Sequence, residues 1–379
     1  MTNIESRVFR AAPTVGVEEE FLLVDPATGQ PLPCADQVAD AARELGAELQ
    51  AEITRAQIET NTPPCHGMQE VRDHLLTMRS AAAAAALRCG ARLVAAGVPL
   101  VGPLAQPISD TPRYQRIAAD YGLLAAEHAV CGCHVHVEVP DRDTAVQVCN
   151  HLRPWLPTLL ALTANSAVHQ GHDTGYASWR SVLASRWPCA GAPPYFTSAE
   201  HYDATVAAML DSGAVLDEKM IYWDARPSSH LPTVEVRVSD VPATIDESTL
   251  LAVLVRALVM TATQAVRAGE EATMVDPQAL RMAYWRAAHD GMTGHGLDLA
   301  RNRTTPALIM LDRLVRHVEP ALTETGELRR TNTLIRKVLD QGNGAMRQRR
   351  ALSTSRTTAD LIDALAHDTL RDWWPDHAA

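Results

Sequence analysis

No run of 18 or more consecutive apolar residues occurs in this sequence, and the opening "MTNIESRVFRAAPT" has no apolar signal core. Neither a membrane span nor a secretory leader is therefore expected. The nearest approach, "SAAAAAALRCGARLVAAGV", carries two arginines among its alanines and reads as a packed helix. Cysteine is sparse: seven residues, an odd number, with only Cys131 and Cys133 close together. That usage excludes a disulfide framework and fits a reduced, cytoplasmic protein. Basic residues are in deficit, 34 against 45 acidic, for a formal net charge of −11. This argues against a general nucleic-acid or membrane-surface binder, although local arginine clusters and metal ions could still hold a phosphate chain. Neither GxxxxGK[ST] nor GxGxxG occurs, so any nucleotide is held by other means. Internal repeats are absent, and the alanine run at 81–86 is the one low-complexity feature.

What is present is a chain of 379 residues with 46% apolar content, ample for a substantial core. No boundary divides it, so a single domain over 1–379 is expected. Strands are predicted at 14–24, 128–140, 218–224 and 232–239, with "AEITRAQIET" (51–60) as one strand or two short strands around a bend. Helices are predicted at 36–46, 67–97, 112–126, 143–170 (interrupted at Pro154 and Pro157), 199–213, 245–268, 276–289, 305–318, 331–341 and 357–370. Residues 171–197, rich in Gly, Pro, Trp and Arg, read as a functional loop containing a short helix. The alternation of elements predicts an α+β fold around an antiparallel sheet.

The strands carry the chemistry. Alternation in "GVEEEFLLV" puts Glu18 and Glu20 on one face and Glu19 on the other with Val17, Phe21 and Leu23. Two carboxylates on one face repel unless a cation lies between them, and Mg²⁺ suits oxygen ligands. A solvated face with surface salt bridges is the competing reading. In "CGCHVHVEV", His134, His136 and Glu138 share a face with Gly132, while Cys131 and Cys133 point the other way. That separation of thiols from imidazoles argues against zinc. In "TVEVRVS", Glu235 and Arg237 share a face, as a simple ion pair or as a metal ligand beside an anion-binding guanidinium. Glu52 and Glu59 reach one site only if a bend intervenes. "QGNGAMRQRR" (341–350) reads either as a phosphate clamp or as a helix cap with a basic turn.

The segments "GVEEEFLLVD", "CGCHVHVEV", "ANSAVHQGHDTGYASWRS", "IYWDARPSSHLPTVEVRVSDV" and "GNGAMRQRR", in this order, resemble the YbdK-type carboxylate–amine ligases. These form the second glutamate–cysteine ligase family, related in fold to glutamine synthetase. The matches run from about 14 to 350, leaving 351–379 as a helical tail. The resemblance implies a curved, mainly antiparallel sheet flanked by helices, a homodimer, and an ATP- and Mg²⁺-dependent ligase acting through an acyl phosphate on small amino acids or peptides, by default L-glutamate and L-cysteine. It implies Glu18, Glu20, Glu52, Glu59, His134 and Glu235 as metal ligands, with Glu235 and Arg237 catalytic. Arg180, His136 and Tyr176 would bind substrate, and Arg347 and Arg237 the nucleotide. Glu138 stands where the family pattern has glycine, which would add negative charge near the site. Different carboxylate and amine substrates, a non-catalytic Mg-ATP-binding regulatory protein, and a zinc hydrolase using His134 and His136 are the competing functional readings.

Overall fold

The computed structural model describes residues 12–371. Its frame is a seven-stranded sheet built from β1 (Val15–Val24), β2 (Gln50–Ala51), β3 (Gln57–Asn61), β4 (Arg92–Val94), β5 (Gly132–Glu138), β6 (Ala225–Pro227) and β7 (Thr233–Asp240). The spatial order is β2-β3-β1-β5-β7-β6, with β4 also pairing β1, and every pairing is antiparallel. The expected α+β fold, an antiparallel sheet with flanking helices, is what the chain adopts.

One face of the sheet is apolar and covered. Val15, Val17, Val135, Val137, Val234, Val236 and Val238 pack with Leu250, Leu251, Val255 and Leu258 of helix α3 (Ile245–Arg267). Helix α3 is apolar nearly all round, as a helix buried on every side must be. It is long and apolar enough to cross a membrane, yet its side chains are spent on this core. A capping box fixes its start: the Glu247 amide donates to Thr244 Oγ1 (3.3 Å), and the Thr244 amide donates to Glu247 Oε2 (3.0 Å). A second core lies under the end of β1, where Phe21–Val24 meet helix α1 (Ala35–Glu44), helix α2 (Met68–Arg88) and the last helix, Thr358–Thr369. Ala82, Ala85 and Ala86 are buried there, so the alanine run gives α2 a close packing face. Leu361, Ile362 and Leu365 make the C-terminal helix part of the same core.

Several segments differ from their sequence reading, beginning with 67–97, whose helix ends at Arg88 and gives way to strand β4 at Arg92–Val94. Residues 218–224 are not a strand. Asp217 caps a 3₁₀ turn by accepting from the Met220 amide (3.1 Å), and Trp223 packs into an aromatic cluster with Phe196 and Tyr202. Pairing with β7 begins only at Ala225. At 341–350 the cap reading holds and the clamp does not: helix Leu328–Gln341 closes at Gly342, and in place of a basic turn Asn343 caps helix Gly344–Thr354, accepting from the Met346 amide (3.2 Å). Gly344 is required there, because a Cβ would run into the Asn165 side chain. An unanticipated hairpin, His295–Asp298 with Arg303–Pro306, precedes helix Ala307–Glu324.

Candidate active site

The uncovered face of the sheet floors a cavity of about 1140 Å³. Strand register explains what lines it. Glu18 on β1 faces His134 on β5, Glu20 faces Glu59 on β3, and His136 faces Glu235 on β7. A bulge in the β5–β7 pairing between Cys133 and Val135 brings Arg237 beside His134, with Arg237 Nη1 3.2 Å from His134 Nδ1. The chain turns between β2 and β3, held by a Ser109 Oγ donation to the Glu52 carbonyl (2.5 Å), and that turn delivers Glu52 to the face that carries Glu59. The bend that the odd spacing required is therefore present.

The acidic groups form overlapping triads. Potential ligand atoms of Glu18, Glu59 and His134 lie within 4.8 Å of one another, as do those of Glu18, His136 and Glu235 and those of Glu20, Glu52 and Glu59. Glu18 bridges two imidazoles, with Oε2 3.1 Å from His134 Nδ1 and Oε1 3.3 Å from His136 Nε2. His136 Nδ1 is 2.9 Å from Thr233 Oγ1, which orients the ring. The Nε2 atoms of His134 and His136 are buried and make no hydrogen bond of good geometry, although Glu20 Oε1 lies 3.5 Å from the first and Glu18 Oε1 3.3 Å from the second. Glu20 accepts from the Gly132 amide at 2.6 Å.

Burial and charge act unequally on these carboxylates. Burial and the charge of Glu20 push Glu52 up to about 8. Burial, with Glu52, Glu18 and Glu20 nearby, pushes Glu59 well above the usual range. For Glu18 burial acts upward, but hydrogen bonds with His134 and His136 outweigh it and hold the group well below its ordinary value. Burial is likewise outweighed at Glu235, where Arg237 and Arg226 hold the carboxylate well down. His134 is held low by burial and by Arg237. The Glu52–Glu59 side thus lacks the positive charge that would let both carboxylates ionise and tends to hold protons, while the Glu235 carboxylate is kept ionised by two guanidiniums.

Arg180 and Tyr176 also line the cavity. Arg180 lies against Gly132, where a Cβ would meet its guanidinium, so a larger first residue of β5 would displace this arginine from its present position. Tyr176 accepts from Trp285 Nε1 at 3.3 Å. Two expectations are corrected. Arg347 does not line the cavity: it is buried against Glu247 (2.6 Å) and Asp368 (2.8 Å) and also bonds the Gly342 carbonyl. Glu138 points out of the site to the surface, where it accepts from the Thr14 amide (3.2 Å) and hydroxyl (3.0 Å). Cys131 and Cys133 face the two apolar cores, away from both imidazoles. A separate Cys65–Glu70–His74 cluster has its thiol donating to the Pro63 carbonyl (3.2 Å), and burial pushes that thiol up to about 11.

Sequence reading missed Arg226, whose Nε donates to Glu235 Oε2 at 2.7 Å. The signal was available, since a hairpin pairing of "DARPSS" with β7 sets Arg226 opposite Glu235. Arg113, Arg153 and Asp224 also line the cavity without an obvious local pattern.

The sequence profile of glutamate-cysteine ligase family 2 matches residues 14–367. Relatives carrying a glutamate–cysteine ligase 2 name include one from Mycolicibacterium smegmatis, 52% identical over 95% of this chain and 99% of the relative. Another, from Nocardia farcinica, is 52% identical over 97% of this chain and 96% of the relative. Among solved structures, the fold is similar to a glutamate–cysteine ligase from Francisella tularensis in complex with AMP, with a TM-score of 0.65 at 14% identity over 95% of this chain and 93% of that one. It is also similar to a bifunctional glutathione synthetase from Pasteurella multocida (TM-score 0.67, 16% identity, 94% of this chain), of which this chain spans about half, 52%. With a profile match over nearly its whole length and half its residues shared with such relatives, the chain belongs to glutamate-cysteine ligase family 2.

Proposed function

We propose that the protein is an ATP- and Mg²⁺-dependent carboxylate–amine ligase, with L-glutamate and L-cysteine as default substrates. The observation that carries this reading is the convergence of five carboxylates and two imidazoles in overlapping triads, bordered by Arg237 and Arg226, on one cavity floor. The donor set fits hard divalent cations: oxygen ligands predominate, two buried imidazole nitrogens make no well-aligned hydrogen bond, and Glu52 and Glu59 repel each other without a cation. Such cations, when bound, offset the charge between an anionic carboxylate and a triphosphate.

In this reading a substrate carboxylate oxygen attacks the γ-phosphorus of ATP. The bond to the bridging oxygen breaks, its electron pair leaves with ADP, and an acyl phosphate remains. An unprotonated amine then attacks the acyl carbon, phosphate departs, and the nitrogen loses a proton. Glu18, Glu20, Glu52, Glu59, His134 and Glu235 are the proposed metal ligands. Arg237, held beside Glu235 and His134, supplies a fixed positive charge to the transferring phosphoryl group. Arg226 orients Glu235 from the other side. Arg180, His136 and Tyr176 are proposed substrate contacts.

ADP release measured over a panel of carboxylates and amines tests the proposal. The expected result is Mg²⁺-dependent ADP release with amide product, abolished in Glu235→Gln. A Glu235→Gln protein with wild-type turnover would overturn it, and an amine turning over better than cysteine would replace the default substrates.

A further inference from the structure

Six arginines are buried in the described structure: Arg72, Arg79, Arg153, Arg180, Arg256 and Arg347. Five have a carboxylate within 4.0 Å, supplied by Asp246, Glu19, Asp240, Glu327 and Glu247 respectively. Arg153 is the exception among them. Its Nε donates to the Pro193 carbonyl (2.9 Å), its guanidinium lies 5.8 Å from the centre of the Tyr195 ring, and its Nη1 is buried without a partner. A buried charge without a counter-charge is costly and persists where a ligand completes it. Arg153 follows helix Arg142–Leu152 at the proline break and lines the cavity.

A second orphan lies in the same wall. The Tyr284 hydroxyl is buried and makes no hydrogen bond of good geometry, although the Asp224 carboxylate is beside it. Tyr284 feels the charge of Arg153 as well as that of Asp224. Together the three groups line one cavity and offer it a guanidinium, a hydroxyl and a carboxylate. Asp224 faces the charges of Arg180 and Arg237 as well, and its carboxylate would oppose a phosphate group placed against it. A zwitterion meets no such opposition: its carboxylate suits the guanidinium fork and hydroxyl, and its ammonium suits the aspartate. Leu280 and Pro193 add an apolar wall to the same cavity.

We propose that Arg153, Tyr284 and Asp224 form the subsite that holds the α-carboxylate and α-ammonium of an amino-acid substrate, so that its other end reaches the carboxylate–histidine floor. The assignment of this subsite to a substrate rests on the ligase reading above. Arg153 is a specificity-determining contact and takes no part in phosphoryl transfer.

The experiment compares substrates with and without the α-carboxylate on the full-length protein: L-glutamate against 4-aminobutyrate, and L-cysteine against cysteamine. Wild type should prefer the amino acid in at least one pair. Arg153→Gln should raise KM for that amino acid on the order of 100-fold, erase the preference, and leave kcat and the KM for ATP within about twofold. The pair that loses its preference identifies which substrate the subsite holds. Arg153→Lys, which keeps the charge and loses the fork, should give an intermediate loss and serves if the glutamine protein fails to fold. Unchanged preference in both pairs, or a rise in the KM for ATP instead, would overturn the proposal. If wild type releases no ADP at all, the ligase reading fails, and titration calorimetry with L-glutamate and L-cysteine still decides the subsite. Binding heat that disappears in Arg153→Gln upholds it, and heat that persists, or is absent from wild type, overturns it.

Discussion

Glu19 and Arg79 form a fork-to-fork ion pair with neither side chain exposed to solvent, Arg79 Nε meeting Glu19 Oε2 at 2.9 Å and Nη2 meeting Oε1 at 2.5 Å. Ser248 donates to the same carboxylate (2.5 Å), and Arg79 also donates to the carbonyls of Pro242, Ala243 and Thr369. One guanidinium therefore ties β1, α2, α3 and the C-terminal helix together. Strand alternation puts Glu19 on the face away from the site, and it does face away, onto a guanidinium that no solvent reaches. Glu19→Gln leaves Arg79 as an uncompensated buried charge, a loss of about 3–5 kcal/mol. Denaturant unfolding should show that loss, with Glu19→Gln well below Glu18→Gln.

Glu20→Gln removes one charge from a crowded carboxylate cluster, so its unfolding free energy in metal-free buffer should hold or rise. Glu18→Gln gives up the contacts with His134 and His136 that hold its carboxylate low, and should lose some stability, though less than the variant that strands Arg79. In both, ADP release should fall by at least about 100-fold, because a lost ligand charge weakens the hold on the cation at the reacting phosphate. Paired measurements of stability and turnover separate this outcome from the Glu19 case. Activity retained in both variants would remove the first strand from the site.

The contrast between these neighbours shows what the sequence made legible. A period of two sorts Glu18, Glu20, His134, His136, Glu235 and Arg237 onto one face, and the structure brings them to one cavity. Alternation states where a side chain points, not what it meets. The partner of Glu19 lies sixty residues away on α2, and Arg226 meets Glu235 only through hairpin pairing. Glu52 was legible as a site residue only on condition of a bend. "GNGAMRQRR" left a clamp and a helix cap open because glycines that loosen a loop and a glycine that admits close packing against Asn165 look alike in one sequence.

Arg347 carries the prediction that follows from this correction. It sits between Glu247, the capping-box residue of α3, and Asp368 on the last helix. Arg347→Met strands two buried carboxylates and should lower unfolding stability by about 3–5 kcal/mol. Below its melting temperature the variant should keep the wild-type KM for ATP. A raised KM in a folded variant would restore Arg347 to the nucleotide site.

Removal of divalent metal should make stability depend on pH in a definite direction. In the metal-free fold Glu52 is raised to about 8 by burial and by the charge of Glu20, from 4.5 as an ordinary glutamate. The folded state then binds this proton more tightly than the unfolded chain. Its stabilising contribution is fully present below about pH 4.5 and is lost as pH rises toward about 8. Glu59, raised in the same sense by burial and by Glu52, adds to that slope. Melting temperatures of chelator-treated protein should therefore fall across this window beyond any shared background, and Glu52→Gln should flatten the fall. Millimolar Mg²⁺ should flatten it in wild type as well, since a bound cation favours both carboxylates ionised. A wild-type pH profile unmoved by Mg²⁺ and by Glu52→Gln would mean that the Glu20–Glu52–Glu59 triad holds no cation.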